Sequence, residues 1–120
     1  MPEDEIQQEP NLAVEQAFQL SQAAIRLDLA RQDRDSEPAR LLEALSSNLE
    51  IWMTLRYIVT RDDCQLPDDT RSNLIRLSRF IADRTFVNDG DVANSTLDAL
   101  ININLQIAEG LLEGVERPAD

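Results

Sequence analysis

A short acidic turn is the part of this sequence that comes nearest to a metal site. Asp89-Gly90-Asp91 resembles part of a calcium-binding loop, in which oxygen ligands at fixed intervals surround the ion. If the glycine took its usual place in such a loop, Thr85 would be the first ligand and Thr96 would stand where the bidentate acid is required. The spacing therefore favours an ordinary turn, and we expect no metal.

Catalysis by a nucleophile and a base is not indicated either. The chain has no histidine, so the usual general base is missing, and its single cysteine, Cys64, has no partner in the sequence that would stabilise a thiolate. The three glycines are scattered and form no phosphate-binding loop. The acid pairs Asp62-Asp63 and Asp68-Asp69 fit a solvated loop and a helix N-terminus. We therefore expect neither an enzyme nor a cofactor.

The charge balance limits the kind of partner. Acidic residues number 23 and basic residues 11, which gives a net charge of −12. This charge repels nucleic acid backbones and anionic membranes, and it suits a neutral, apolar or basic partner. A lone cysteine fits a reducing compartment, and no apolar run approaches the length of a membrane span. We expect a soluble cytoplasmic protein, since residues 1–10 also contain no signal region.

Periodicity predicts the elements that position these side chains. The pattern is that of an all-α domain of four helices with short loops, over residues 11–116, after a disordered acidic tail at residues 1–10. The helices are predicted from about Leu12 to Arg31, from a Ser36 cap to about Thr60, from Pro67 to the turn at residues 88–91, and from a Ser95 cap to about Gly114. Large apolar residues line one face of the first helix, flanked by smaller ones and leucines: Val14, Phe18, Ile25 and Leu29, beside Ala17, Leu20, Ala24 and Leu27.

The second and fourth helices are apolar over more than half of their circumference, and each has an asparagine inside that arc, Asn48 and Asn104. A buried asparagine without hydrogen-bond partners costs about 1–3 kcal/mol. We favour a core interpretation, in which the two side chains bond each other or nearby backbone and set the register of the helices. In the alternative they meet a partner's helix. Arg56 lies inside the same arc and either reaches its edge or pairs with a buried acid or an asparagine carbonyl.

The third helix carries a strip of basic residues. Arg76, Arg79 and Arg84 share a broad face opposite the main apolar stripe, and they could hold an acidic partner or a phosphate. A solvated face that pairs with local acids is the simpler interpretation. Phe80 projects on the same side, where it either covers a neighbouring helix or anchors a partner.

Three short motifs occur in an order that resembles a known family. Asn48 and Trp52 give N-x-x-x-W, a leucine-proline pair at residues 66–67 precedes Arg71, and residues 100–104 read L-I-N-I-N. This series resembles the flagellar biosynthesis regulator FlaF family, whose corresponding elements are N-R-x-x-W, L-P-x-x-L-R and a closing L-I-D-I-N-R-x-I-M-x-G-L. The resemblance covers about residues 41–112.

The sequence departs from the family pattern at defined positions. The arginine that follows each family asparagine is replaced by Leu49 and Leu105. Of the family's N-terminal alanine-tyrosine segment and P-R-E motif, only Pro10 and Glu15 remain. The sequence therefore predicts a diverged member, which either binds a different partner or binds through apolar contact where the family uses arginine.

The resemblance implies a small cytoplasmic factor that acts after flagellin transcription. Members of the family are expected to bind flagellin, to promote its synthesis or export, and to work with the translational regulator FlbT. Flagellin ends form amphipathic helices, so a helix-in-groove contact with the wide apolar arcs would suit an adaptor or chaperone, and the negative charge would keep the complex soluble.

Two alternatives stay open beside the flagellin adaptor. One is an RNA-level regulator of flagellin synthesis that uses the basic strip, although the net charge makes direct nucleic-acid binding the less favoured choice. The other is a structural homodimer without a client. The candidate partner-binding residues are Trp52, Arg56, Arg76, Arg79, Phe80, Leu105 and Leu111.

Overall fold

The computed structural model describes the backbone of residues 2–85 and 92–116, and the side chains of residues 12–85 and 92–114. These residues form four helices: α1 (Pro2–Gln32), α2 (Pro38–Thr60), α3 (Asp68–Thr85) and α4 (Asn94–Glu116). None of the described residues belongs to a strand. The prediction of an all-α domain of four helices is therefore confirmed.

Two predictions fall on segments that are not fully described. Helix α1 begins at Pro2, so its backbone includes most of the acidic segment, but the side chains of residues 1–11 lie outside the described part. The disorder predicted for residues 1–10 therefore stays a prediction. The acidic turn at residues 88–91 lies wholly outside the described residues.

Helix α2 begins as its proline dictates. Pro38 occupies the first turn, where the missing N–H costs no hydrogen bond. The N-cap residue is Glu37, which makes no capping bond with its side chain, so the prediction of Ser36 as the cap is wrong. Ser36 Oγ instead donates a hydrogen bond of 3.2 Å to the carbonyl oxygen of Asp33, within the turn that follows α1.

Helices α3 and α4 also begin near the predicted positions. Asp68 and Asp69 lie in the first turn of α3, where their charge favours the helix dipole. Helix α4 begins at Asn94, which places Ser95 inside the first turn, so Ser95 is not the N-cap. Boundary errors of one or two residues are common, because helix ends depend on local hydrogen bonds rather than on periodicity.

Helix α1 is central to the packing. It packs most extensively against α4, it also contacts α2, and α3 packs on the side of α2. The most deeply buried large apolar side chains come from all four helices: Leu20, Leu27, Leu45, Trp52, Leu74, Ile81, Leu97 and Leu100. Complete burial of a leucine-sized side chain contributes roughly 1.5–3 kcal/mol, so this cluster is the main source of stability.

The buried face of α1 is the one with the smaller side chains. The core takes the set that flanks the large residues, namely Ala17, Leu20, Ala23, Ala24, Leu27 and Ala30. Alanines let a neighbouring helix approach closely, since the distance between helix axes is set by the side chains at the contact. The large residues Val14, Phe18, Ile25 and Leu29 are left exposed on the opposite side of the helix.

Polar contacts hold the end of α1 to the start of α4. The guanidinium of Arg31 pairs with Asp28 on its own helix and with Asp98 on α4. Both hydrogen bonds raise the pKa of Arg31, and the one to Asp98 has the larger effect. Arg34 donates to the carbonyl oxygen of Val92 at 2.8 Å. These contacts fix the two helices beside each other at the end where α4 begins.

Candidate partner-binding site

A buried polar network joins three helices. The indole Nε1 of Trp52 donates to Asn104 Oδ1 at 2.9 Å. Asn104 Nδ2 donates to Asn48 Oδ1 at 2.7 Å and to the carbonyl oxygen of Leu20 at 3.0 Å. Trp52, Asn48 and Asn104 are all 0% exposed. The network thus ties α1, α2 and α4 together, and it is the arrangement that the core interpretation of the asparagines describes.

The two asparagines are not equivalent in this network. Asn104 uses its oxygen and donates two hydrogen bonds, so it is the hub. Asn48 accepts one hydrogen bond, but its Nδ2 has no partner among the described residues. An unpaired buried amide donor costs about 1–3 kcal/mol. The unpaired Nδ2 of Asn48 therefore offsets part of the stabilisation that its accepted hydrogen bond contributes.

Trp52 has no surface to offer a partner in the folded chain. Its side chain is completely buried and its single donor is used within the core. We therefore correct the prediction that Trp52 contacts a partner: the residue belongs to the core. The motif residue Arg71 also acts within the chain, since its Nε donates to the carbonyl oxygen of Val59 at 2.9 Å and so binds the last turn of α2.

The outer face of α1 is an apolar stripe opposite the core. Its members, Val14, Phe18, Ile25 and Leu29, are between 44% and 58% exposed. They lie on one side of the helix because they are separated by four, seven and four residues, which are close to one, two and one helical turns. Helix α1 therefore carries apolar residues on two opposite sides, and only one of the two sides is covered within the described part of the chain.

A shallow groove between α1 and α4 lies beside this stripe. Its lining consists of Ser21, Leu105, Ala108, Glu109, Leu112 and Glu113. Leu105 is 44% exposed and Leu112 is 40% exposed. Ser21 lies between Phe18 and Ile25 on α1, one turn from each, so the groove continues the outer face. We call the outer face and the groove together the α1–α4 surface.

The α1–α4 surface combines an apolar centre with an acidic rim. Its centre is apolar, with the small side chains of Ser21 and Ala108 between larger ones. Its rim on α4 is acidic, because Glu109 and Glu113 are both exposed. A groove of this kind accepts the apolar side of a helix and favours basic residues beside it.

The other candidate residues are placed in different surroundings. Leu105 lines the groove, whereas Leu111 is half-buried against the core. Arg56 is half-buried on α2 and forms no ion pair within the part of the chain that the structure describes, which favours the alternative that its side chain reaches the edge of the apolar arc. Leu49 lines a shallow depression on α2. Leu49 and Leu105, which replace the two family arginines, thus both lie at surface depressions.

The basic strip of α3 is partly used within the chain. Arg84 lies over the ring of Phe80, with 5.4 Å between the guanidinium carbon and the ring centroid, and Phe80 itself packs against the core. Phe80 therefore covers the core rather than standing free as an anchor. Arg76 donates to Asn73 Oδ1 at 2.7 Å, and both Arg76 and Arg79 are exposed.

Other kinds of site find no support among the residues described. No group of histidine, cysteine, aspartate or glutamate side chains within residues 12–85 and 92–114 could hold a metal ion. None of the four helices, as far as the structure describes them, is long and apolar enough to cross a membrane.

The chain is thus a small helical bundle with an exposed apolar surface on α1 and α4. Residues 7–111 match the family model described as flagellar protein FlaF. The chain therefore belongs to the FlaF family, which implies a role in flagellar biogenesis. The match includes most of α1, which the sequence motifs did not cover. No match was found among curated proteins or among solved structures.

Proposed function

We propose that this protein is a non-enzymatic adaptor that binds an amphipathic terminal helix of flagellin in the cytoplasm, before export. Membership of a flagellar protein family supports the choice of client. The observation that carries the proposal is the exposed apolar α1–α4 surface. On this proposal the client helix lies along α1, its apolar side on the outer face and in the groove.

The dimensions of the surface suit a helix of moderate length. From Val14 to Leu29 the outer face of α1 extends over about 22 Å, at a rise of about 1.5 Å per residue. A client helix of about fifteen residues would cover this length, with apolar contacts recurring every three or four residues. Phe18, which is 58% exposed, would be the largest apolar contact.

The binding is expected to be reversible. Completing the burial of a half-exposed leucine contributes about 1 kcal/mol, while association costs about 4–15 kcal/mol in lost freedom of motion. An apolar surface of this size therefore holds its client weakly unless charges assist. The exposed Glu109 and Glu113 would attract basic residues of the client, and weak binding would permit release for export.

Binding of flagellin peptides tests the proposal directly. Synthetic peptides for the N-terminal and C-terminal helices of flagellin are titrated with the full-length protein, and binding is followed by fluorescence anisotropy. We expect binding by the wild-type protein and its loss in Leu105→Glu, which places a charge in the groove. Tyr57→Glu is the matched control, because Tyr57 is 64% exposed on α2 and outside the α1–α4 surface.

Two outcomes would overturn the proposal. In the first, neither peptide binds the wild-type protein at micromolar concentration, and flagellin does not co-purify with it when export is blocked. In the second, Leu105→Glu and Tyr57→Glu weaken binding equally, so that the α1–α4 surface has no special part in it.

The RNA-level alternative would use another side of the molecule. Its candidate contacts are Arg76 and Arg79, which are exposed on α3. It predicts salt-dependent binding to flagellin leader RNA that is lost when both arginines become glutamate. Absence of such binding at low salt would remove this alternative. FlbT as a further partner stays a prediction.

A further inference from the structure

The outer face of α1 is symmetric about its own midpoint. Val14 and Leu29 are equally distant in sequence from the point between Ser21 and Gln22, and so are Phe18 and Ile25. All four apolar residues are about half-exposed. Such a stripe matches its own reverse, so two copies placed antiparallel would bring apolar side chains together along the whole contact.

We propose that a second copy of this chain binds the outer face of α1, as an antiparallel pair of α1 helices related by a two-fold axis near Ser21. In this arrangement Val14 lies opposite Leu29 of the partner subunit, and Phe18 lies opposite Ile25 of the partner subunit. The small Ser21 at the centre lets the helices approach closely there.

Charge selects the antiparallel direction. Glu15 and Arg26 lie on the same edge of the stripe, because their separation of eleven residues is close to three full turns of the helix. Both are exposed, and neither forms an ion pair within the described part of the chain. In the antiparallel pair Glu15 comes within about 3 Å, along the helix axis, of Arg26 of the partner subunit.

A parallel pair would lose this complementarity. In a parallel pair the edge that carries Glu15 and Arg26 would face the opposite edge of the partner helix, so these two charges would not meet across the contact. The antiparallel pair instead forms two equivalent contacts between opposite charges. The remaining charged residue near the stripe, Asp28, is already paired with Arg31 of its own helix.

The pairing has a consequence for the client, which rests on the proposed function. The second copy would cover Phe18 and Ile25, and with them the α1 side of the α1–α4 surface. A flagellin helix and a second copy would then compete for one place. The free protein would be a weak dimer, since a contact between single helices is small, and the loaded protein would be a monomer with its client.

A charge exchange tests the register of the pair. Sedimentation equilibrium over a range from micromolar to several hundred micromolar is compared for wild type, Glu15→Arg, Arg26→Glu and the double variant. We expect a wild-type dimer, dissociation about tenfold easier in each single variant because two exposed pairs become repulsive, and recovery in the double variant. A monomeric wild type over the whole range would overturn the inference, as would a double variant that stays monomeric.

A cysteine placed near the two-fold axis gives an independent readout. With Cys64→Ala as background, Gln22→Cys is expected to form a disulfide-linked dimer under mild oxidation, because this position faces its own copy. Glu50→Cys, exposed on α2, is the control and is expected to remain uncrosslinked. Equal crosslinking of both variants, or none at Gln22→Cys, would overturn the inference.

The dimer and the client site can be tested separately. Leu105 lines the groove on α4 and lies outside the contact between α1 helices. Leu105→Glu is therefore expected to abolish peptide binding while the dimer persists. Glu15→Arg is expected to weaken the dimer and to make the surface more available to the flagellin peptide. Failure of one proposal thus leaves the other intact.

Discussion

The buried network around Asn104 and the exposed α1–α4 surface break the usual partition of side chains in opposite ways. Inside, polar groups lie among apolar ones and form hydrogen bonds with each other, apart from the Asn48 Nδ2, which has no partner among the described residues. Outside, large apolar groups lie in water without cover. The adjacent residues Asn104 and Leu105 belong one to each region, so a single turn of α4 serves both.

The same difference separates the asparagine of each motif from the residue that follows it. The asparagine of each motif points into the core, as Asn48 and Asn104 do. The next position, an arginine in the family pattern, lies at a surface depression and is occupied here by Leu49 and Leu105. In both pairs of adjacent residues the asparagine lies in the buried network, and the leucine borders a surface depression.

Removal of the largest member of the network should have the largest effect. Trp52→Ala leaves a cavity in the core and an unpaired acceptor on Asn104, so we expect a loss of about 3–5 kcal/mol in the free energy of unfolding. Urea denaturation followed by circular dichroism measures it. Tyr57→Ala, an exposed aromatic on the same helix, should cost no more than about 0.5 kcal/mol. Similar costs for both would place Trp52 outside the core.

Replacement of the hub asparagine should come next. Asn104→Leu removes three hydrogen bonds and leaves the Trp52 donor and the Asn48 acceptor buried without partners. We expect a loss of about 2–4 kcal/mol, since each orphaned group costs about 1–3 kcal/mol and the leucine regains part of this through apolar contact. Thermal unfolding reports the change, and an unchanged midpoint would contradict the role of Asn104 as hub.

The second asparagine should be easier to replace. Asn48→Leu removes one accepted bond but also removes the unpartnered Nδ2, so the two effects nearly cancel and we expect a change within about 1 kcal/mol. The most informative measurement is therefore a comparison of the loss in the free energy of unfolding between Asn48→Leu and Asn104→Leu. If Asn48→Leu costs as much as Asn104→Leu, Asn48 Nδ2 is satisfied in solution.

The outer face should show the smallest effect on stability. Phe18→Ser removes an apolar side chain that is 58% exposed in the folded chain, so we expect the free energy of unfolding to change by no more than about 0.5 kcal/mol. Binding of the flagellin peptide should nevertheless fall, because the largest apolar contact is gone. A loss of stability like that of a core variant would show that Phe18 is buried in the free protein.

The sequence predicted the fold well and the surface only in part. The wide apolar arcs of α2 and α4 placed Asn48 and Asn104 correctly, because a residue at the centre of such an arc has few ways to reach water. The role of Leu105 as a partner contact stays a prediction. The exposure of Phe18 and Ile25 was not foreseen, since α1 carries two apolar stripes and periodicity alone cannot choose between them. The choice depends on how closely α4 can approach the alanines.

The only tryptophan of the chain, Trp52, is completely buried and can serve as an intrinsic fluorescence probe. An indole ring without solvent contact emits at short wavelength and is shielded from soluble quenchers such as iodide. Trp52 is bonded to α4 through Asn104, next to a residue that lines the groove. Intrinsic fluorescence therefore reports the packing of the core from one unmodified side chain, and it can follow whether occupation of the surface disturbs that packing.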